Sequence, residues 1–200
     1  GLGQSTGIEI GDVSGVLASP EWAEAHDREW TDGQTITAAI GQSYNLFTPL
    51  QLANYVATLV SGGDHYEAHL LKNAKSYDNS SVVYAYNKGP TNHVDMSDST
   101  LEAVKAGARG LATGSLSYVF NSCIVPVGCK TGTAETGGEL SNGCFVAFAP
   151  YDDPQIAVCV VIEQGGGGAN LAPIARDIIN SYFSSASTSA TIVGENTLLP

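Results

Sequence analysis

The chain has 200 residues, 43% hydrophobic and 8% aromatic, enough apolar material for one core, which excludes a wholly disordered chain. Eight Lys plus Arg stand against 20 Asp plus Glu, a formal charge of −12, so a phosphate-backbone partner is excluded and no nucleic acid is expected. No run of eighteen apolar residues is present, and the sequence opens at Gly1 without a signal peptide, inside what reads as folded sequence, so a piece of something longer is expected.

Residues 1–47 are mixed, with turn clusters at Gly11-Asp12, Ser14-Gly15 and Asp32-Gly33. Ser19-Pro20-Glu21 reads as a short helix start, a cap followed by proline at the first helical position. Thr48-Pro49-Leu50-Gln51 is a stronger start, with Gln51 at the capping-box position. Leu50, Leu52, Ala53, Val56, Leu59 and Val60 then recur at helical spacing until Ser61-Gly62-Gly63. Residues 66–87 predict two short strands around Asp78-Asn79. Ser99 and Glu102 have capping-box spacing for a helix over about 99–112, closing near Gly110 or Gly114.

Three strands follow, over 123–134, 143–149 and 156–162. The short connection Pro150–Pro154, with Asp152-Asp153 in its turn, makes the last two an antiparallel hairpin. After the strand-to-helix connection Gly165–Gly168, Asn170 is positioned to cap a final helix carrying Leu171, Ile174, Ile178, Ile179 and Phe183. Residues 185–200, rich in Ser, Ala and Thr, read as a flexible tail. The expected fold class is α/β of the α+β type, an antiparallel sheet covered by helices.

The four cysteines form no Cys-x-x-Cys, which argues against a zinc ribbon. Cys144 and Cys159 sit in apolar runs and read as core residues. Cys123 and Cys129 could pair, and their spacing does not decide it. His65 and His69 are four apart, but Tyr66 breaks the His-Glu-x-x-His pattern, so both read as surface histidines. His26 and His93 are expected exposed and without partners, Arg109 and Arg176 at helix surfaces or in ion pairs. No metal and no organic cofactor is implied.

The sharpest chemical string is Lys130-Thr131-Gly132-Thr133 after the apolar run Ile124–Cys129. A cation, two hydroxyls and a residue without a side chain at a strand end suit an anionic ligand. Taken alone, the string reads more simply as a polar strand end entering a turn. Its surroundings change that. Lys130-Thr-Gly-Thr-Ala-Glu135 resembles the Lys-Thr-Gly element of the serine penicillin-recognising enzymes. Gly41-Gln42 with Thr48-Pro49-Leu50-Gln51-Leu52-Ala53, the upstream Ser5-Thr6-Gly7-Ile8, the stretches Leu101–Val104 and Gly107–Gly110, and Ala172-Pro173-Ile174-Ala175 are similar to segments of class B penicillin-binding proteins, in the same order. The resemblance covers about residues 5–184.

It implies the beta-lactamase/transpeptidase-like fold, in part, with residues 1–184 as the C-terminal portion of a transpeptidase domain. The implied reaction is peptidoglycan D,D-transpeptidation through an acyl-serine, with stem peptides as substrate and beta-lactams as acylating drugs. In that scheme Lys130 holds positive charge at the cleft. Thr131, Gly132 and Thr133 bind the substrate carboxylate, and the Thr133 N–H forms half of the oxyanion hole. Strict strand alternation sets Lys130 and Thr133 on opposite faces, so the scheme requires twist or edge geometry. The nucleophile element Ser-x-x-Lys is missing: three residues before the five lysines stand His69, Lys72, Ala85, Glu102 and Val127. Ser43-Tyr44-Asn45 has Ser-x-Asn spacing at the wrong place in the order. The chain by itself is therefore expected to be catalytically inactive. The resemblance also implies work at the extracytoplasmic face of the bacterial membrane, cell-wall synthesis machinery as partners, and apolar faces through which the chain could form a homo-oligomer. The rivals are a beta-lactamase or a non-catalytic beta-lactam sensor of the same superfamily and, outside it, an adhesion-type module.

Overall fold

The computed structural model of the chain describes residues 1–187. Ser19 caps α1 (Pro20–Ala25) by accepting from Trp22 N, as its sequence predicts. The Asp32-Gly33 cluster is not a plain turn but the first turn of α2 (Asp32–Ala39), with Gln34 Oε1 accepting from Thr31 N at 3.2 Å. None of its residues is buried, so no apolar stripe announces it. In α3 (Pro49–Val60) the capping box is reciprocal: Thr48 Oγ1 accepts from Gln51 N at 3.1 Å and Gln51 Oε1 accepts from Thr48 N at 2.9 Å.

Two small antiparallel ladders follow. β1 (Asp64–His65) pairs with a later β4, and β2 (Asn73–Lys75) pairs with β3 (Val82–Ala85) across a turn with Asn79 at φ 57°. β2 and β3 are the two strands expected around Asp78-Asn79. β4 (Asn92–His93) and β1 have two residues each, too few for a period-2 signal. α4 (Asp98–Thr113) is capped by Ser97, whose Oγ accepts from Thr100 N at 3.2 Å, not by Ser99, and ends at Gly114. The expected strand over 123–134 shortens to β5 (Gly128–Ala134) after a one-turn helix α5 (Ser117–Phe120). Pro126 has no N–H for a ladder, and the Val127 carbonyl accepts from Arg109 Nη1 at 3.0 Å, so this apolar run stays irregular.

β6 (Asn142–Ala149) and β7 (Ile156–Ile162) form the expected hairpin, closed by Gln155 N donating to Ala149 O at 2.9 Å. β6 is central in the order β5-β6-β7. Alternation along it gives the sheet two apolar faces. Phe145, Ala147 and Ala149 enter the core with Phe120, Leu171, Ala175 and Ile179. Val146 and Phe148 turn the other way, toward Val56 and Leu59 of α3. A 3-10 turn (Gly168–Leu171), rather than an Asn170 cap, leads into α6 (Ala172–Ser187), whose Ala175 and Ile179 are fully buried. Of the flexible tail expected over 185–200, residues 185–187 instead continue α6, and the rest lies outside the described residues.

Residues 1–17 contain no helix or strand and attach through a few backbone bonds, Val16 with Leu46 and Ala68 N to the Thr6 carbonyl, and through side chains. Gln51, 2% exposed, donates through Nε2 to the carbonyls of Gln4 and Ser14, both at 2.7 Å. Gln51→Ala leaves those carbonyls and Thr48 N without this partner, so a loss of about 1–3 kcal/mol is expected in urea unfolding. Gln51→Glu, which sets a carboxylate oxygen against the same two carbonyls at a side chain 2% exposed, should cost at least as much as Ala at pH 7.

Candidate functional site

β5 is bonded on one side only, to β6, with Lys130 opposite Val146, Thr131 opposite Phe145, Gly132 opposite Cys144 and Thr133 opposite Gly143. The outer edge is met by side chains. Lys130 Nζ donates to the Thr131 carbonyl at 2.7 Å, and Gln42 Nε2 donates to the Thr133 carbonyl at 3.2 Å. Both carbonyls therefore face away from β6. In an antiparallel strand a residue's N–H and C=O point the same way, so the N–H groups of Thr131 and Thr133 also face the outer edge. With one carbonyl occupied by the Lys130 ammonium and the other by the Gln42 amide, this edge offers N–H groups and an ammonium, a setting for an oxygen anion.

The face problem posed by Lys130 and Thr133 is resolved at this edge. Lys130 and Gly132 share the face of Val146, while Thr131 and Thr133 lie on the other. The long lysine side chain turns over the edge to Thr131 O, so its charge sits beside the threonine backbone. Lys130 and Thr133 are both exposed. From the other side Gly168 N donates to Thr133 Oγ1 at 3.3 Å. A Cβ on Gly168 would stand 2.3 Å from the carbonyl oxygens of Gly132 and Cys144. The glycine run is thus more than a connection. Gly168 lets backbone lie on backbone directly behind the site.

Beside Lys130, α3, α4 and the sheet enclose a groove of about 420 Å³, with Val56, Leu59, Val146 and Phe148 on its apolar floor and Lys105 on its wall. Arg109 is not simply a helix-surface residue. Its Nη1 bond to Val127 O and its place 5.9 Å over the Tyr151 ring anchor the approach to β5. Cys129, 1% exposed, has its thiol pushed up to about 12 by burial and is no nucleophile at neutral pH. All four cysteines are free, so Cys123 and Cys129 are unpaired with each other.

The remaining sequence candidates are not brought to this edge. His65 is half-buried, not on the surface; its Nδ1 lies 3.0 Å from Thr58 Oγ1, and burial holds its pKa below the usual imidazole value. His69 stacks on Tyr86. His26 and His93, expected without partners, have them: His26 stacks on Trp22, and His93 Nδ1 lies 2.7 Å from Asp64. Asn45 of Ser43-Tyr44-Asn45 is structural, accepting from Ala18 N and donating to the carbonyls of Ala38 and Gln42. Gln42 is the site neighbour that sequence reasoning placed only as part of a segment, because its contact lies 91 residues away in the chain. The arrangement can hold and polarise a carboxylate or carbonyl oxygen, but it includes no serine activated by a lysine three residues on.

A family model described as the penicillin binding protein transpeptidase domain matches residues 1–180. The peptidoglycan D,D-transpeptidase MrdA of Haemophilus influenzae is 33% identical over 92% of this chain and 31% of its own length. The solved penicillin-binding protein 2B of Streptococcus pneumoniae strain R6 superposes with a TM-score of 0.77 at 31% identity, covering 92% of this chain and 31% of that one. PBP2 of Helicobacter pylori, solved in complex with MreC, shares the fold with a TM-score of 0.75 at 23% identity, over 94% of this chain and 34% of that one. The chain thus spans about a third of the length of these relatives.

Gly168→Ala forces the glycine turn off β5 and β6. The expected outcome is a destabilisation of about 1–3 kcal/mol, with amide shifts in an NMR spectrum centred on Gly132 and Thr133 while α3 stays unmoved.

Proposed function

This chain belongs to the penicillin-binding protein transpeptidase domain family, and from that premise we propose that it forms the Lys-Thr-Gly wall of a peptidoglycan D,D-transpeptidase cleft. The observation that carries the reading is the outer edge of β5, where the Lys130 ammonium and the outward N–H groups of Thr131 and Thr133 meet. The substrate is a stem peptide ending in D-Ala-D-Ala. Its terminal carboxylate is held by Lys130 and the hydroxyls of Thr131 and Thr133, and Gly132 lets its backbone come close. A serine from outside these 200 residues attacks the peptide carbonyl. Thr133 N–H donates to the oxygen as negative charge develops, and the last D-Ala leaves with a proton on its new amine. An amine from a second stem peptide then attacks the acyl-serine and completes the cross-link. Beta-lactams acylate the same serine.

In this reading the whole protein works outside the cytoplasmic membrane with cell-wall synthesis proteins. The Helicobacter pylori complex of PBP2 with MreC supports a partner of that class. Among the described residues no helix is long and apolar enough to cross a membrane.

The test is an NMR titration of the chain with an N-acetylated peptide ending in D-Ala-D-Ala. Weak binding is expected, with amide shifts centred on Thr131–Thr133, and the exposed substitution Lys130→Met should weaken it about tenfold, the scale of one charge-assisted hydrogen bond. Fluorescent penicillin should leave no covalent label on the chain. Shifts centred elsewhere, or indifferent to Lys130→Met, would overturn the binding role. A labelled serine would overturn the inactive state of the isolated chain.

A further inference from the structure

Gln42 meets the β5 edge from outside the sheet, from a turn that follows α2. That turn is built for one conformation. Gly41 before it has φ 84° and Ser43 after it has φ 65°, so left-handed residues flank Gln42 on both sides. Ser43 carries a Cβ and takes that conformation at a cost, which the surrounding bonds must offset. Gln42 N donates to Thr37 O at 2.9 Å, and Gln42 O accepts from Asn45 Nδ2 at 3.1 Å. Asn45 is tied in turn to a third segment, accepting from Ala18 N at 2.9 Å. The Gln42 main chain is therefore held independently of its side chain, and the side-chain amide is presented from a fixed base.

That amide grips one peptide unit. The Thr133 C=O and the Ala134 N–H belong to the same plane and point opposite ways. Thr133 O faces the outer edge and accepts from Gln42 Nε2 at 3.2 Å, so Ala134 N–H faces β6, where Ala134 lies opposite Asn142. The unit is bonded on both sides, and it is the last one of the strand, since β5 ends at Ala134. At the other outward carbonyl, on Thr131, the strand supplies its own donor through Lys130. At Thr133 the donor comes from 91 residues away. The Gly168 N bond holds the Thr133 hydroxyl and leaves this carbonyl to Gln42. Without the amide, a bare carbonyl oxygen would face the place where the edge receives an anion, and the strand end would be free to fray back to Thr133.

We propose that Gln42 is a positioning residue for the anion-accepting edge. Its side-chain amide pins the Thr133–Ala134 peptide unit from outside, keeps Thr133 N–H directed outward, and covers the oxygen that would otherwise repel an incoming carboxylate. It acts through Thr133 and touches no reacting atom itself. Its effect on stem-peptide binding rests on the transpeptidase reading, whereas its effect on the strand end does not.

The experiment compares the 200-residue chain with Gln42→Met, which has a similar reach and no donor, and with Gln42→Lys, which restores a donor. Amide hydrogen exchange read by NMR reports on the strand end. Titration with the N-acetylated peptide ending in D-Ala-D-Ala reports on the edge. Gln42→Met is expected to speed exchange of Ala134 N–H about 3- to 10-fold, the scale of one net hydrogen bond, and to affect Gly132 N–H less. It should weaken peptide binding by a similar factor. Gln42→Lys should return Ala134 to the wild-type rate and bind the peptide at least as well as wild type. A purely structural role would lower the urea midpoint in Gln42→Met and leave the peptide affinity of the folded chain unchanged. Wild-type exchange at Ala134 in Gln42→Met overturns the pinning. Faster exchange with unchanged or tighter peptide binding overturns the positioning role. A wild-type chain that binds no peptide overturns the transpeptidase reading instead, and Ala134 exchange then decides the pinning by itself.

Discussion

Among the described residues strand β5 has a strand partner on one side only, and the character of the site follows from that constraint. An edge strand turns a row of backbone N–H and C=O groups outward, an open template for any extended chain. Here both outward carbonyls that can be located, on Thr131 and Thr133, meet side-chain N–H donors, the Lys130 ammonium and the Gln42 amide. What is left facing out is donor-rich and positively charged, within a molecule of net charge −12. An anion at that edge would be held by local geometry against the field of the whole molecule, which repels it.

Holding such an edge still requires support from behind, and three separate parts of the chain provide it. The central strand β6 gives one side chain set to the core with α6 and the other to α3, so the sheet is pinned from both faces. The glycine turn lies flat on β5 and β6 because Gly168 has no Cβ to hold it off. Arg109 fixes the irregular approach to β5 by binding Val127 O, with Tyr151 packed under its guanidinium. None of these supports touches the outward edge, so the edge is left to a ligand.

Much of this was legible in the sequence where local chemistry decides the outcome. The Thr48–Gln51 capping box, the β6–β7 hairpin and the Lys-Thr-Gly string each lie within a few residues and carry their own signal. The misses share a different cause. Ser97 rather than Ser99 caps α4 because both are capping residues and only the path of the chain selects between them. The run Ile124–Val127 looks like a strand by composition, but Pro126 and the Arg109 contact keep it out of the ladder. Gln42 reaches Thr133 across 91 residues, and the diagonal placement of Cys144 and Cys159 depends on strand register. Distances of that kind have no local pattern to read.

The attachment of residues 1–17 has a consequence for motion. This stretch has no helix or strand of its own, and it is held by the Val16–Leu46 bridge, the Ala68 N bond to the Thr6 carbonyl and polar side chains, Gln51 among them. Its contacts differ in kind from the apolar packing that holds the sheet to α6. A segment bound this way opens as its own cooperative unit, at a free energy below that of global unfolding. The protein therefore has two tiers of local stability, and its amide protons would exchange with solvent in two groups, the N-terminal wrap first and the sheet last.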